Sequence, residues 1–421
     1  MIRRLGPALV AVVALGALAA RHPGLRFVDL VAFSARAEHL ADRLVDPLYP
    51  VGYPALLALA HALGGDVLLV GKSLSVLAGA GAVLAATVLT GPLSALWLLG
   101  QGGLLQWGAT EGTDLPAAAL SLGALTAAST RRPWLADLLC GAACLLRYTA
   151  FAVVPVVLLA DRRALVPFLL ALVPAGAAAA WSGVSPLPDQ QLNLLIGAGR
   201  PTRLLSTDTL LRWPGGLGRA LLHALPDWPV RVAAVGLLVG AWRRDRRAIA
   251  LLAWGLLHCA MVAVAFSNPR LCLPAQLAFA LGAPFLVPHR HALLGVAAVA
   301  VAARNVPPLA TSTPQERELH ALSAACAPLP GPFLANSPWF HTRHDGWLRG
   351  GIQLSGLGNA RGLTPEELAR WMARTGARHV ALDIARVTGP LPGLGPMMKA
   401  APPGFSEAAR TAQWRVYAAS P

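Results

Sequence analysis

Six charged residues, set between long apolar runs, could carry chemistry in this chain: Asp29, Arg36, Glu111, Asp114, Arg147 and Arg270. A carboxylate can take the proton from an attacking hydroxyl. Guanidinium groups can hold a phosphate and stabilise it as a leaving group. The two kinds of group together at the mouth of a membrane cavity suit a reaction on a phosphate-bearing lipid. Lys72, about two turns inside an apolar segment, joins them, because an ammonium at membrane depth is a functional candidate by default. Tyr49 and Tyr53 flank the turn Tyr49-Pro50-Val51-Gly52-Tyr53-Pro54. Each has a plainer role beside this one. Asp29, Glu111 and Asp114 are also suited to cap helices. Arg36 could solvate a surface helix, Lys72 could snorkel, and Arg147, Arg270 and the tyrosines could anchor at the membrane interface.

The elements that must position these groups are apolar. Of 421 residues, 55% are hydrophobic and 13% charged, where soluble domains carry about a quarter charged. Mean hydropathy is +0.55. The composition is that of a polytopic α-helical membrane protein. The net charge of +15 is spread as short arginine clusters between apolar runs, at 3–4, 131–132, 162–163, 243–244 and 246–247. That is the pattern of the positive-inside rule; no basic face with interleaved aromatics points to nucleic acid. The five cysteines form no CxxC pair and no Cys/His cluster with zinc spacing.

With every arginine pair inside, about eleven spans fit the chain. They fall at 5–20, 66–90, 92–107, 115–129, two short helices within 134–160, 164–181, 229–242, 248–265, 271–287 and a last one ending near Ala303. Arg132 and the 162–163 pair both belong inside. The 134–160 segment must therefore turn near Arg147-Tyr148-Thr149 and carry Arg147 outward. The first segment is expected to stay as a helix with a cytoplasmic N-terminus, although its basic start and Ala17-Leu18-Ala19 also match a signal peptide. Either way, residues 21–65 form an outer loop, in which apolar residues at Leu30, Phe33, Ala37, Leu40 and Leu44 predict a surface helix before the Pro/Gly break. Residues 183–227 form a second outer loop. The division is then 1–303 for the membrane part and 304–421 for a small extracytoplasmic α/β domain. In that domain strands are expected at 331–336, 379–383 and 414–417, and a helix from Thr364-Pro365 to about Thr375.

The order of first helix, outer loop with an early Asp, surface helix and Tyr-Pro-x-Gly-Tyr-Pro-x-Leu-Leu turn resembles the GT-C-fold glycosyltransferases. These polytopic enzymes use polyprenyl-phosphate-linked sugars, as do protein O-mannosyltransferases and aminoarabinose transferases. Glu111-Gly112-Thr113-Asp114-Leu115-Pro116, Leu146-Arg147-Tyr148-Thr149 and Pro269-Arg270-Leu271-Cys272-Leu273-Pro274 add to the resemblance, which covers roughly residues 5–303. It implies Asp29 as catalytic base. Charge and position make Arg147, Arg270 and Lys72 the candidates for donor-phosphate ligands, and Arg36, Tyr49, Tyr53, Glu111 and Asp114 those for substrate contacts. Where relatives often place a second acid and a tyrosine, this chain has Leu30 and Phe33, a departure that lends no support to a metal site. The implied partners are a polyprenyl-phosphate sugar as substrate, with no separate cofactor, and a lipid, glycan or protein acceptor in the plasma (inner) membrane. A secondary transporter, or a membrane scaffold with an outer partner-binding domain, are the alternatives; the polar residues gather toward one face rather than the midplane and no internal repeat is evident, which disfavours transport.

Overall fold

A computed structural model of the chain describes residues 2–40, 50–160, 207–265, 269–286, 291–354, 363–384 and 392–419. Tyr49, the expected span at 164–181 and most of the second outer loop lie outside the described residues. The chain forms two compact units that do not follow the linear division at residue 303. One takes Met1–Arg21, Leu40–Leu56 and Gly71–Thr311; the other takes His22–His39, Leu57–Val70 and Ser312–Pro421. Two pieces of the first outer loop thus belong with the C-terminal segment.

The first unit is helical. It contains α1 (Ile2–Ala20), then, after α2 (Asp29–Glu38) of the second unit, the start of α3 (Gly52–Ala62) and most of α4 (Val67–Thr90). α5 (Pro92–Leu99), α6 (Gly102–Gly108), α7 (Asp114–Ser129), α8 (Pro133–Leu146), a 3-10 helix (Tyr148–Val153) and α9 (Val154–Ala160) follow. After the undescribed stretch come α10 (Thr207–Ala224), α11 (Trp228–Trp242), α12 (Arg246–Ala265), α13 (Leu273–Ala280), α14 (Ala283–Leu286) and α15 (His291–Leu309). Among the described residues, two helices are long and apolar enough to cross a membrane singly, or up to four with each bent pair taken as one span.

Several expected spans are broken, for local reasons. The 92–107 segment divides at Gly100-Gln101, where the Asn305 amide donates to the freed Gly100 carbonyl at 2.9 Å and Gln101 donates back to Trp97 at 3.0 Å. The 271–287 segment divides at Leu281-Gly282, where the Trp97 indole donates to the Ala280 carbonyl at 2.9 Å. Any Cβ on Gly282 or Gly236 would collide with a facing backbone carbonyl, so α11 packs backbone to backbone against this break, as small residues allow in membrane helices. The last span continues past Ala303 to Leu309. α10 lies where an outer loop was expected, and the surface helix ends at Glu38 rather than near residue 45.

The second unit is a three-layer α/β domain. Its helices α16 (Pro314–Cys326) and α17 (Pro365–Thr375) cover opposite faces of a sheet ordered β4-β1-β5-β7-β6. The strands are β1 (Phe333–Ala335), β4 (Ile352–Gln353), β5 (His379–Asp383), β6 (Phe405–Arg410) and β7 (Trp414–Ala419). β1 runs parallel to β4 and β5, and β7 is antiparallel to β5 and β6. Alternation along the strands sorts the core. Leu334, Val380, Leu382 and Tyr417 meet Leu368 and Met372 of α17; Phe333, Ala335, Ala381 and Val416 meet Leu319, Leu322 and Cys326 of α16. Both helices start with a full Thr-Pro-x-Glu capping box, at Thr313 and Thr364, which satisfies their first free N–H groups. A separate hairpin, β2 (His341–His344) and β3 (Trp347–Gly350), turns at Asp345-Gly346.

His341 is buried, with its Nδ1 donating to the Trp339 carbonyl at 3.1 Å. Burial, with Arg343 and His320 nearby, pushes its pKa down from 6.5 to about 4. The unfolded chain therefore binds more protons between these values. The domain is expected to lose about 3 kcal/mol as pH falls from 6.5 toward 4. Hydrogen exchange of the β1 and β5 amides against pH measures this, and His341→Gln should flatten the profile. A wild-type profile already flat over that range would contradict it.

Candidate active site

In the first unit, three loops expected to face outward converge on one carboxylate. Asp114 begins α7 and is nearly excluded from solvent. One oxygen lies 3.1 Å from the Arg147 guanidinium and the other 3.6 Å from Nε of Arg270. Arg147 also donates to the Thr113 hydroxyl at 2.9 Å. Glu111, fully buried, stands on the same turn, which Gly112 permits by adopting φ 155°. Two guanidinium groups around one carboxylate are held in fixed orientation, and their planar forks carry more N–H donors than one carboxylate accepts. The chemical capacity of such a cluster is anion binding.

The local sequence explains the placement of Arg147. α8 stops at Leu146, Arg147 is extended (φ −157°, ψ 128°), and the chain resumes as the 3-10 helix. This break is where the arginine-pair pattern required a turn. Arg270 sits on the turn before α13, whose first residues are held by the Gln276 amide donating to the Pro269 carbonyl at 3.1 Å. The buried His258 of α12 donates from Nε2 to the Leu271 carbonyl at 2.8 Å. His258 and Gln276 gave no signal in the sequence, since a lone polar residue in an apolar helix is as often structural.

Gly52-Tyr53-Pro54 of the Pro/Gly/Tyr motif starts α3, with Pro54 in the first turn, where a missing N–H costs nothing. Tyr53 is fully buried beside Glu111, Gly112 and Asp114. Burial first, then the Glu111 charge, raises its pKa well above the ordinary phenol range, so it stays protonated. Gly52 lies against the end of α8: a Cβ there would come 2.5 Å from the Leu145 carbonyl oxygen. Gly52→Ala should therefore displace the turn carrying Arg147 and cost about 1–3 kcal/mol, read as a lower Tm of the purified protein. An unchanged Tm would remove this contact from the site's framework.

Lys72 is buried in α4. Asp29 and Arg36 stand on α2 in the second unit, Asp29 half-buried as the first helical residue. Val28 takes the N-cap position. The chain before Asp29 is tied to the head of α16: Glu316 accepts from His22 at 3.1 Å and pairs with Arg26. Among the described residues, no three His, Cys, Asp or Glu side chains gather as a metal site.

Neither a protein-family model nor a curated protein matches the chain by sequence. Solved structures do match by fold. ArnT from Cupriavidus metallidurans in the apo state aligns over 98% of this chain and 98% of its own, with TM-score 0.60 and 13% identity. The same protein bound to undecaprenyl phosphate aligns over 98% and 97%, with TM-score 0.58 and 13% identity. The archaeal oligosaccharyltransferase AglB from Archaeoglobus fulgidus, in complex with an inhibitory peptide and a dolichol-phosphate, aligns over 99% of this chain and 74% of its own, with TM-score 0.55 and 13% identity. Both proteins are GT-C-fold glycosyltransferases. The chain has that fold, a mostly helical part with a small C-terminal sheet domain.

Proposed function

We propose that this GT-C-fold chain is an inverting membrane glycosyltransferase that takes its sugar from a polyprenyl phosphate. The observation that carries the reading is the Arg147–Asp114–Arg270 cluster, an anion-binding arrangement on a fold whose solved examples include one with undecaprenyl phosphate and one with a dolichol-phosphate. In this reading the two arginines take the donor phosphate, with Lys72 as a further cation, while Asp114 holds them oriented. Glu111 and Tyr53 stand beside them, Tyr53 as a neutral hydroxyl.

Asp29 takes the proton from an acceptor hydroxyl or amine. The acceptor atom attacks the anomeric carbon from the side opposite the phosphate. The bond between the anomeric carbon and the phosphate oxygen breaks, and polyprenyl phosphate leaves with its charge on the arginines. Water exclusion strengthens these charge interactions. Arg36, Tyr49 and the C-terminal domain are assigned to substrate contact. The distribution of arginine pairs supports an extracytoplasmic position for the site and that domain at the plasma membrane, and the acceptor is a lipid, glycan or protein. Single displacement predicts that the anomeric configuration of the product, read by NMR, is opposite to that of the donor. Retention would overturn the mechanism.

A further inference from the structure

The hairpin β2–β3 belongs to the C-terminal segment and packs on its helix α16, but it also touches both ends of the first outer loop. On one side it receives α2. The buried Ser34 hydroxyl accepts the Leu348 N–H at 2.9 Å, Glu38 pairs with Arg349 at 2.6 Å, and a Cβ on Gly350 would come 2.9 Å from Val31. On the other side it grips residues 61–67. The Trp347 ring lies 3.9 Å from the His61 ring, Arg343 pairs with Asp66, and the Gly346 carbonyl accepts the Val67 N–H at 3.0 Å. The turn itself is built for this approach: Asp345 and Gly346 both have positive φ, 51° and 78°, the two-residue geometry that matches strand twist.

We infer that this hairpin is a clamp that sets the position of Asp29, with Ser34 and Gly350 as positioning residues. Asp29 lies between two fixed points: the His22/Arg26–Glu316 anchor just upstream and the Ser34–Leu348 bond little more than one helical turn downstream. Ser34 is the sharper element because its bond joins a buried side chain to a strand backbone and so fixes both the height and the rotation of α2. A base displaced by about 1 Å loses on the order of 100-fold in rate. The C-terminal segment thus acts as part of the catalytic apparatus, beyond any part in acceptor choice. This inference rests on the assignment of Asp29 as base.

The test measures release of polyprenyl phosphate when the full-length protein in nanodiscs is given a total extract of host membranes, which supplies both the polyprenyl-phosphate-sugar donor and the acceptor. Ser34→Ala should lower kcat at least tenfold with donor KM unchanged, and Ser34→Thr, which keeps the hydroxyl acceptor, should restore most of it. In an Asp29→Asn background, Ser34→Ala should have no further effect. Because Ser34→Ala removes a buried bond, the exposed pair gives a second arm: Glu38→Arg or Arg349→Glu alone should reduce kcat, and the two together should recover it. Unchanged kcat in Ser34→Ala and in the single charge reversals, with Asp29→Asn inactive, would overturn the clamp and leave the base assignment standing. Full activity of Asp29→Asn would instead overturn the base assignment itself.

Discussion

Asp29→Asn is expected to reduce sugar transfer from a polyprenyl-phosphate donor by about 10²–10⁴-fold, the range that general-base catalysis contributes. Tm and affinity for the lipid phosphate should be unchanged. The substitution keeps the size and shape of the side chain and removes its capacity to hold a proton. Val28, one residue earlier, holds the N-cap position. Activity and stability are therefore separable here. Near-normal transfer would remove Asp29 from the chemistry. A drop in stability of about 1 kcal/mol, as for loss of a helix cap, would assign it a structural role instead.

Asp114→Asn should act in the opposite proportion, on stability first. Asp114 is the shared partner of Arg147 and Arg270 and is itself nearly solvent-free. Removing one member of a buried ion pair leaves the other charge uncompensated and costs about 3–5 kcal/mol. Arg147→Gln should cost a similar amount by taking the nearer guanidinium from the buried carboxylate. Because both variants break one network, the double variant should lose less than the two singles combined. Thermal unfolding of the four proteins measures this. Strict additivity would show that Asp114 and Arg147 do not act as a unit.

Lipid phosphate should also rescue Asp114→Asn more than wild type. A bound anion returns the negative charge that the arginines have lost, and binding to the folded state raises apparent stability by mass action. Polyprenol, which lacks the phosphate, should give no such rescue.

The sequence made the helical character of residues 1–303 legible because apolar runs are long, redundant signals, whereas several of the expected single spans are broken helices. The break at Arg147 was legible from the arginine clusters flanking 134–160, which were expected on one side of the membrane and so called for a turn between them. β5 and α17 were found at His379–Asp383 and Pro365–Thr375, since alternation and a Thr-Pro cap are local. The hairpin β2–β3 was missed although Asp345-Gly346 is a strong turn signal. Its flanking residues, His341-Thr342-Arg343-His344 and Trp347-Leu348-Arg349-Gly350, are too polar to read as strands. α16 was missed despite Thr313-Pro314-Gln315-Glu316, a capping box in plain sight.

Other misses have no local cause to find. The grouping of residues 22–39 and 57–70 with the C-terminal segment is a tertiary fact, carried by partners such as Ser34–Leu348 and His22–Glu316 that lie about 300 positions apart. The convergence of Arg147 and Arg270 on Asp114 is of the same kind. The sequence placed all three toward the same face, and only their side-chain geometry makes them a cluster.

The claim that most needs testing is that this cluster holds the phosphate of a polyprenyl lipid. Affinity can be measured without knowing the sugar, by native mass spectrometry of the purified protein with polyprenyl phosphate and with polyprenol of equal chain length. Wild type should bind the phosphate form at least tenfold more tightly, and Arg147→Gln and Arg270→Gln should each lose that preference while retaining polyprenol binding. Equal binding of both lipids by wild type, or an undiminished phosphate preference in the arginine variants, would contradict the assignment.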